Sequence, residues 1–153
     1  MPNDKSVRRR LPPLLRKAWY GLNQAFRRRI VQFGTTPDQF TVLRLLVEGP
    51  PGGVSQRELC ALMSSDPNTV TALITRMQER GLVARRTDDA DKRARRVTVS
   101  KEGKALFRKL RAIATKLQSE ILETLPEERR TQFLEDLDAV GEKCRVMAEC
   151  EQE

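Results

Sequence analysis

Leu15, Trp19, Leu22, Phe26, Ile30 and Phe33 recur at intervals of three and four, a single apolar stripe that predicts a helix over residues 11–33. Gly34 supplies its stop. Thr36, Pro37 and Gln39 have the spacing of a capping box with proline at the first helical position. They introduce a second helix carrying Phe40, Leu43, Leu46 and Val47 up to the break Gly49-Pro50-Pro51-Gly52-Gly53. Ser55 and Glu58 repeat the box for a short third helix through Leu59 and Leu62, ending near Ser64. Asp66 caps a fourth, with Pro67 at its first position, which runs to Arg80 and stops at Gly81. Residues 82–87 and 95–99 read as two short strands around a polar turn. Ser100 caps a long fifth helix bearing Leu106, Leu110, Ile113, Leu117 and Ile121, and Pro126 opens a sixth bearing Phe133, Leu137, Val140, Cys144 and Met147.

Two short helices joined by Ser64-Ser65-Asp66 make a helix-turn-helix, and the hairpin that follows turns it into a winged helix. The expected fold is mainly α with a small β-hairpin wing: a winged helix-turn-helix plus terminal dimerisation helices. Residues 1–10 form a flexible basic tail, 11–34 and 101–148 the helical dimerisation region, 36–100 the DNA-binding region, and 149–153 a flexible acidic tail.

Charge points to the partner. The 153 residues hold 29 Lys and Arg against 21 Asp and Glu, a net +8. Residues 1–118 carry 25 basic and 10 acidic side chains, net +15, whereas residues 119–153 carry 4 and 11, net −7. A polyanion therefore meets the front of the chain. The chain has no His, which removes Ser-His and Cys-His nucleophile pairs and His-ligated zinc. Carboxylates such as Glu127 and Glu128 read as solvated helix surface, so no enzyme site, metal or cofactor is expected. Apolar runs are broken by Arg16, Lys17 and Arg44, which leaves no membrane span and no signal peptide and places the chain in the cytoplasm. Three scattered cysteines, Cys60, Cys144 and Cys150, make neither a disulfide framework nor a thiolate cage.

On the fourth helix Val70, Leu73, Ile74 and Met77 share an apolar face. The other face carries Asn68, Thr69, Ala72, Thr75 and Arg76, with Thr71 at its edge. A merely solvated face fills with Lys and Glu, whereas this one is small and hydrogen-bonding, as close approach to base edges requires. The wing adds Arg85, Arg86, Lys92, Arg93, Arg95 and Arg96. Arg93, restrained by Asp91 two residues earlier, suits a narrow minor groove, with Lys92, Arg95 and Arg96 along phosphates. The helix caps Ser55, Asp66 and Ser100 position these elements. Stripes on the first, fifth and sixth helices exceed what the small core can cover, so a homodimer is expected. Its two recognition helices would read half-sites roughly 10 bp apart in a pseudo-palindromic duplex.

These residues resemble the multiple-antibiotic-resistance regulator (MarR) family of bacterial transcription factors. The resemblance is carried by Glu58-Leu59, Asn68-Thr69-Val70-Thr71, Arg76-Met77, Arg80-Gly81-Leu82-Val83, the spacing of Asp88, Asp91 and Arg93, and Val97-Thr98-Val99-Ser100 followed by Gly103. The family closes its wing with Leu-Thr where this chain has Val99-Ser100, and Ser still caps a helix. The resemblance implies a homodimer joined by the terminal helices, Asp91 and Arg93 as the wing motif, and repression relieved by a small ligand or by oxidation. For an aromatic or anionic effector, Trp19, Tyr20, Phe26, Phe40 and Phe107 are the candidate pocket. Thiol-sensing members carry a cysteine near the start of the first helix, where this chain has none. Cys60 reads as buried filler, and Cys144 and Cys150, about 240° apart on one helix, are the candidate redox pair only across a dimer. The alternatives are a thiol-based redox regulator of the same fold, or a winged helix that binds nucleic acid without base selection.

Overall fold

The computed structural model describes residues 9–87, 89–93 and 95–150. Helix α1 (Leu11–Ile30) tightens into a 3-10 turn over Val31–Phe33, and Gly34 follows in the left-handed conformation. The expected single helix thus changes pitch in its last turn, as helix ends commonly do. Helix α2 (Pro37–Glu48) is capped by Thr36, whose hydroxyl accepts the Gln39 N–H. The reciprocal half of that box does not form, because the buried Gln39 amide oxygen accepts from Thr35 Oγ1 at 2.9 Å and from Arg80. Strand β1 (Val54–Ser55) precedes α3 (Gln56–Met63), where Ser55 and Glu58 complete the capping box in both directions. Ser64 takes a positive φ of 49° and turns the chain towards α4 (Pro67–Glu79), which Asp66 caps.

The wing has three strands where two were expected: β2 (Val83–Thr87) pairs with β3 (Arg95–Val99), and β3 pairs on its other edge with β1. The registers are Val83↔Val99 through Thr87↔Arg95, and Val54↔Val97 with Ser55↔Arg96. Leu82, expected in the strand, lies just before it, buried, with its N–H on the Met77 carbonyl. Helices α5 (Lys101–Leu122) and α6 (Glu127–Cys150) complete the chain. Ser100 caps α5 by accepting the Gly103 N–H at 2.9 Å, and its hydroxyl donates to the Gly81 carbonyl at 2.6 Å. One side chain thereby ties the stop of α4 to the start of α5.

The chain divides into two compact units between Ala114 and Thr115. The core of the first is built largely from the helical stripes read above, with Val42 of α2 and Val97 of β3 added. Ile30, Val42, Leu43, Leu59, Val70, Ile74, Met77, Val97 and Leu110 are fully buried. Only the second half of the α1 stripe joins it: Phe26 and Ile30 are buried, whereas Trp19 and Leu22 are exposed. In the second unit Phe133, Leu137 and Met147 of α6 are exposed. Helix α6 runs two residues into the expected acidic tail, whose remaining residues 151–153 lie outside the described residues, as do residues 1–8 of the basic tail. Among the described residues, no helix is long and apolar enough to cross a membrane.

Candidate nucleic-acid interface

Helix α4 is anchored by its apolar face and presents the other. Val70, Ile74 and Met77 are buried and Leu73 is half-buried, whereas Asn68, Thr69, Thr71, Ala72 and Arg76 are exposed. Asn68, Ala72 and Arg76 stand four residues apart and form one row along the helix. At its start the Asp66 carboxylate accepts both the Thr69 N–H (2.9 Å) and the Thr69 hydroxyl (2.5 Å). The hydroxyl bond, then the backbone one, hold the Asp66 carboxyl below the ordinary carboxylate range. Because the folded value is depressed, the cap contributes fully above that range and is lost as pH falls through it towards the lowered value. Denaturation followed from about pH 7 to pH 2 should therefore lose less stability in Asp66→Asn, which still caps, than in the parent chain. Identical pH slopes would remove this role.

Thr75 differs from the rest of its face. It is half-buried, donates to the Thr71 carbonyl at 2.9 Å, and accepts from Arg85 Nη2 at 2.8 Å. Arg85 Nη2 also donates to the Thr71 carbonyl at 2.8 Å. Arg85, on β2, is thus a strut between wing and α4, not an outward wing cation. Burial first, and the Arg95 charge second, lower its pKa from the ordinary arginine value. Its Nε is buried without a partner. On the other face of the sheet Arg86 and Arg96 stand directly opposite each other, a like-charge pairing worth about 0.2–1 kcal/mol of destabilisation. Each is drawn aside by a glycine carbonyl, Arg86 to Gly52 at 2.9 Å and Arg96 to Gly53 at 2.8 Å. Two of the expected wing cations, Arg96 among those assigned to phosphates, therefore brace the loop that leads into β1.

The wing turn carries exposed Asp91, Lys92 and Arg93. Asp91 Oδ1 accepts the backbone N–H of Arg93 at 2.9 Å, so the restraint acts through the main chain and leaves the guanidinium to reach outward. Asp88 and Ala94 of this turn lie outside the described residues. Arg93, Arg95 and Asp91 line an open groove of about 650 Å³ together with Arg85, Thr71, Ser55, Gln56 and Arg57. Gln56 and Arg57 were not singled out from the sequence. Gln56 Nε2 donates to Thr71 Oγ1 at 3.2 Å, and Arg57 places a cation in the first turn of a helix, where the dipole favours an anion. That mismatch was the available signal for it.

Of the five aromatic candidates, three come together: Phe26 meets Phe40 edge-on at 5.0 Å, and Phe40 stacks on Phe107 at 5.7 Å. Trp19 and Tyr20 lie on α1, each 66% exposed, apart from that cluster. Cys60 is half-buried rather than buried, and Cys144 and Cys150 are exposed on α6.

The chain matches the MarR family over residues 33–94, which span the helix-turn-helix and the wing up to the start of β3. It is 30% identical to the transcriptional regulator HosA of Escherichia coli over 127 residues, 80% of this chain and 93% of HosA. The chain belongs to the MarR family. It is a DNA-binding transcriptional regulator, built on the mainly helical MarR fold with a small antiparallel wing. Among solved MarR-like structures, CouR from Rhodococcus jostii RHA1 bound to p-coumaroyl-CoA is 28% identical, with a TM-score of 0.73 over 83% of this chain and 88% of CouR. The transcriptional repressor CouR bound to a 23-mer DNA duplex superimposes with a TM-score of 0.80 at 23% identity, over 90% of this chain and 96% of that one.

Proposed function

We propose that the chain is a homodimeric repressor that reads a pseudo-palindromic duplex and is released by a small aromatic or anionic effector. The observation that carries the reading is the exposed row Asn68, Ala72 and Arg76 beside a groove lined by the wing's Arg93 and Arg95. Asn can bridge adenine and Arg guanine, and Ala admits the close approach a major groove demands. Arg93 enters the neighbouring minor groove, while Lys92, Arg95 and Arg57 follow phosphates. A second copy covers the apolar side chains left exposed on α1 and α6, and its two-fold axis gives the operator its symmetry. Support for an aromatic effector comes from the aromatic thioester that CouR was solved with.

Effector binding acts by shifting the two-state balance of the recognition helices, and only by as much as its affinity for the two states differs. The experiment is motif selection with Asn68→Ala. Relaxed base preference at one position per half-site, worth about 1–3 kcal/mol of discrimination, supports base reading by α4. An unchanged motif would remove Asn68 from the interface.

A further inference from the structure

The recognition helix has a second anchor that DNA reading does not itself require. Arg80 follows the last turn of α4, and its guanidinium reaches away from its own helix to the end of α1. Nη1 donates to the Gly34 carbonyl at 2.6 Å and to Gln39 Oε1 at 3.2 Å, and Nη2 donates to the Phe33 carbonyl at 3.0 Å. Carbonyls at a helix terminus lack intrahelical partners, and Phe33 and Gly34 are such groups. Gln39 is 6% exposed and is itself held by Thr35, so the third acceptor is fixed in place. Ordering a long arginine side chain costs rotamer entropy, and a planar fork matched to three preset acceptors offsets that loss better than a lysine can.

Resting on the reading of α4 as the DNA-reading helix, we infer that Arg80 is a positioning residue that fixes the tail of α4 against α1 and thereby sets the operator spacing the dimer accepts. The lever is long. Asn68 lies twelve residues before Arg80, about 18 Å along the helix, so a tilt of about 3° at the tail moves Asn68 by about 1 Å. That is the scale on which base-edge hydrogen bonds are made or lost. Helix α1 carries the exposed Trp19 and Leu22, the apolar surface assigned to the partner copy. A clamp from α1 to α4 therefore refers each reading head to the subunit arrangement.

The full chain, Arg80→Lys and Arg80→Gln are compared on the selected operator, on versions with the centre lengthened or shortened by one base pair, and on random duplex at the same salt. Arg80→Lys keeps the charge and removes the fork. The parent chain should prefer its own spacing by at least about tenfold, and Arg80→Lys should narrow that preference to about two- to threefold with random-duplex binding unchanged. Arg80→Gln should narrow it at least as far, and thermal unfolding confirms that each variant is folded. If Arg80→Gln is unfolded, the Lys variant decides. Parent-like spacing preference in a folded Arg80→Lys overturns the inference and leaves the proposed function standing. Equal losses on operator and random duplex in Arg80→Gln, with the spacing preference unchanged, overturn it too, since they reflect charge alone. A parent chain that selects no operator overturns both.

Discussion

Replacing Arg93 by alanine should weaken binding to the selected operator by about 1 to 3 kcal/mol, and should weaken binding to random duplex far less. The asymmetry follows from where Arg93 sits. Its backbone is pinned by the Asp91 carboxylate in the turn between two paired strands, so the root of the side chain is already placed when DNA arrives. A narrow minor groove concentrates negative potential and rewards a guanidinium placed within it. Lys92, one residue earlier in the same exposed turn, serves as the comparison. Its replacement by alanine should lower affinity for all duplexes alike and reduce the salt slope by about one, as loss of a single phosphate contact does. Competition binding on operator and random duplex at two salt concentrations checks both. Equal losses on the two duplexes for Arg93→Ala would reduce Arg93 to one more phosphate cation.

The largest effect on stability is expected at Gly53, where Ala should cost about 3 kcal/mol or more. Gly53 has φ of +90°, a conformation that L residues adopt at a cost of about 1–2 kcal/mol. Space is the second term: a Cβ there would lie 2.3 Å from the Val97 carbonyl oxygen and 2.8 Å from Thr98 Cγ2. The Val97 oxygen is main chain and cannot yield without straining the β1–β3 pairing, in which the fully buried Val97 is paired with Val54. The Gly53 carbonyl also receives Arg96, so the same shift releases the brace on the loop. Gly81→Ala separates the two terms, since Gly81 has φ of +71° with nothing within 4 Å of its would-be Cβ. Thermal unfolding should place Gly53→Ala about 10 °C below the parent and Gly81→Ala only a few degrees below. Equal midpoints for the two variants would refute the packing account.

The legible parts of the fold were those whose signals are local. Apolar stripes at helical spacing and the caps at Thr36, Ser55, Asp66 and Ser100 located the helices to within a residue or two, because capping chemistry acts over three residues. Strand β1 escaped because two residues are too few to show a period of two, and its partner lies forty residues on. Gln39 reads as a capping residue on spacing alone, yet its amide oxygen serves Thr35 and Arg80, and a contact between positions 39 and 80 has no local signature. The same limit applied to the arginines. Composition marks residues 85–96 as basic, but strand alternation sorts them: Arg85 turns to α4, Arg86 and Arg96 turn to the glycine loop, and the turn itself presents Lys92 and Arg93. The aromatics followed burial: Phe26, Phe40 and Phe107 close on one another, while Trp19 and Tyr20 remain on the exposed face of α1.

Selection of bound duplexes from a random pool, at near-physiological and then at higher salt, tests the central claim most directly. A symmetric reader predicts a two-fold pseudo-palindrome with half-sites about 10 bp apart, recovered at both salt concentrations with weaker binding at the higher. Recovery of no motif, with binding that vanishes as salt rises, would contradict it and leave a winged helix that holds DNA by charge alone.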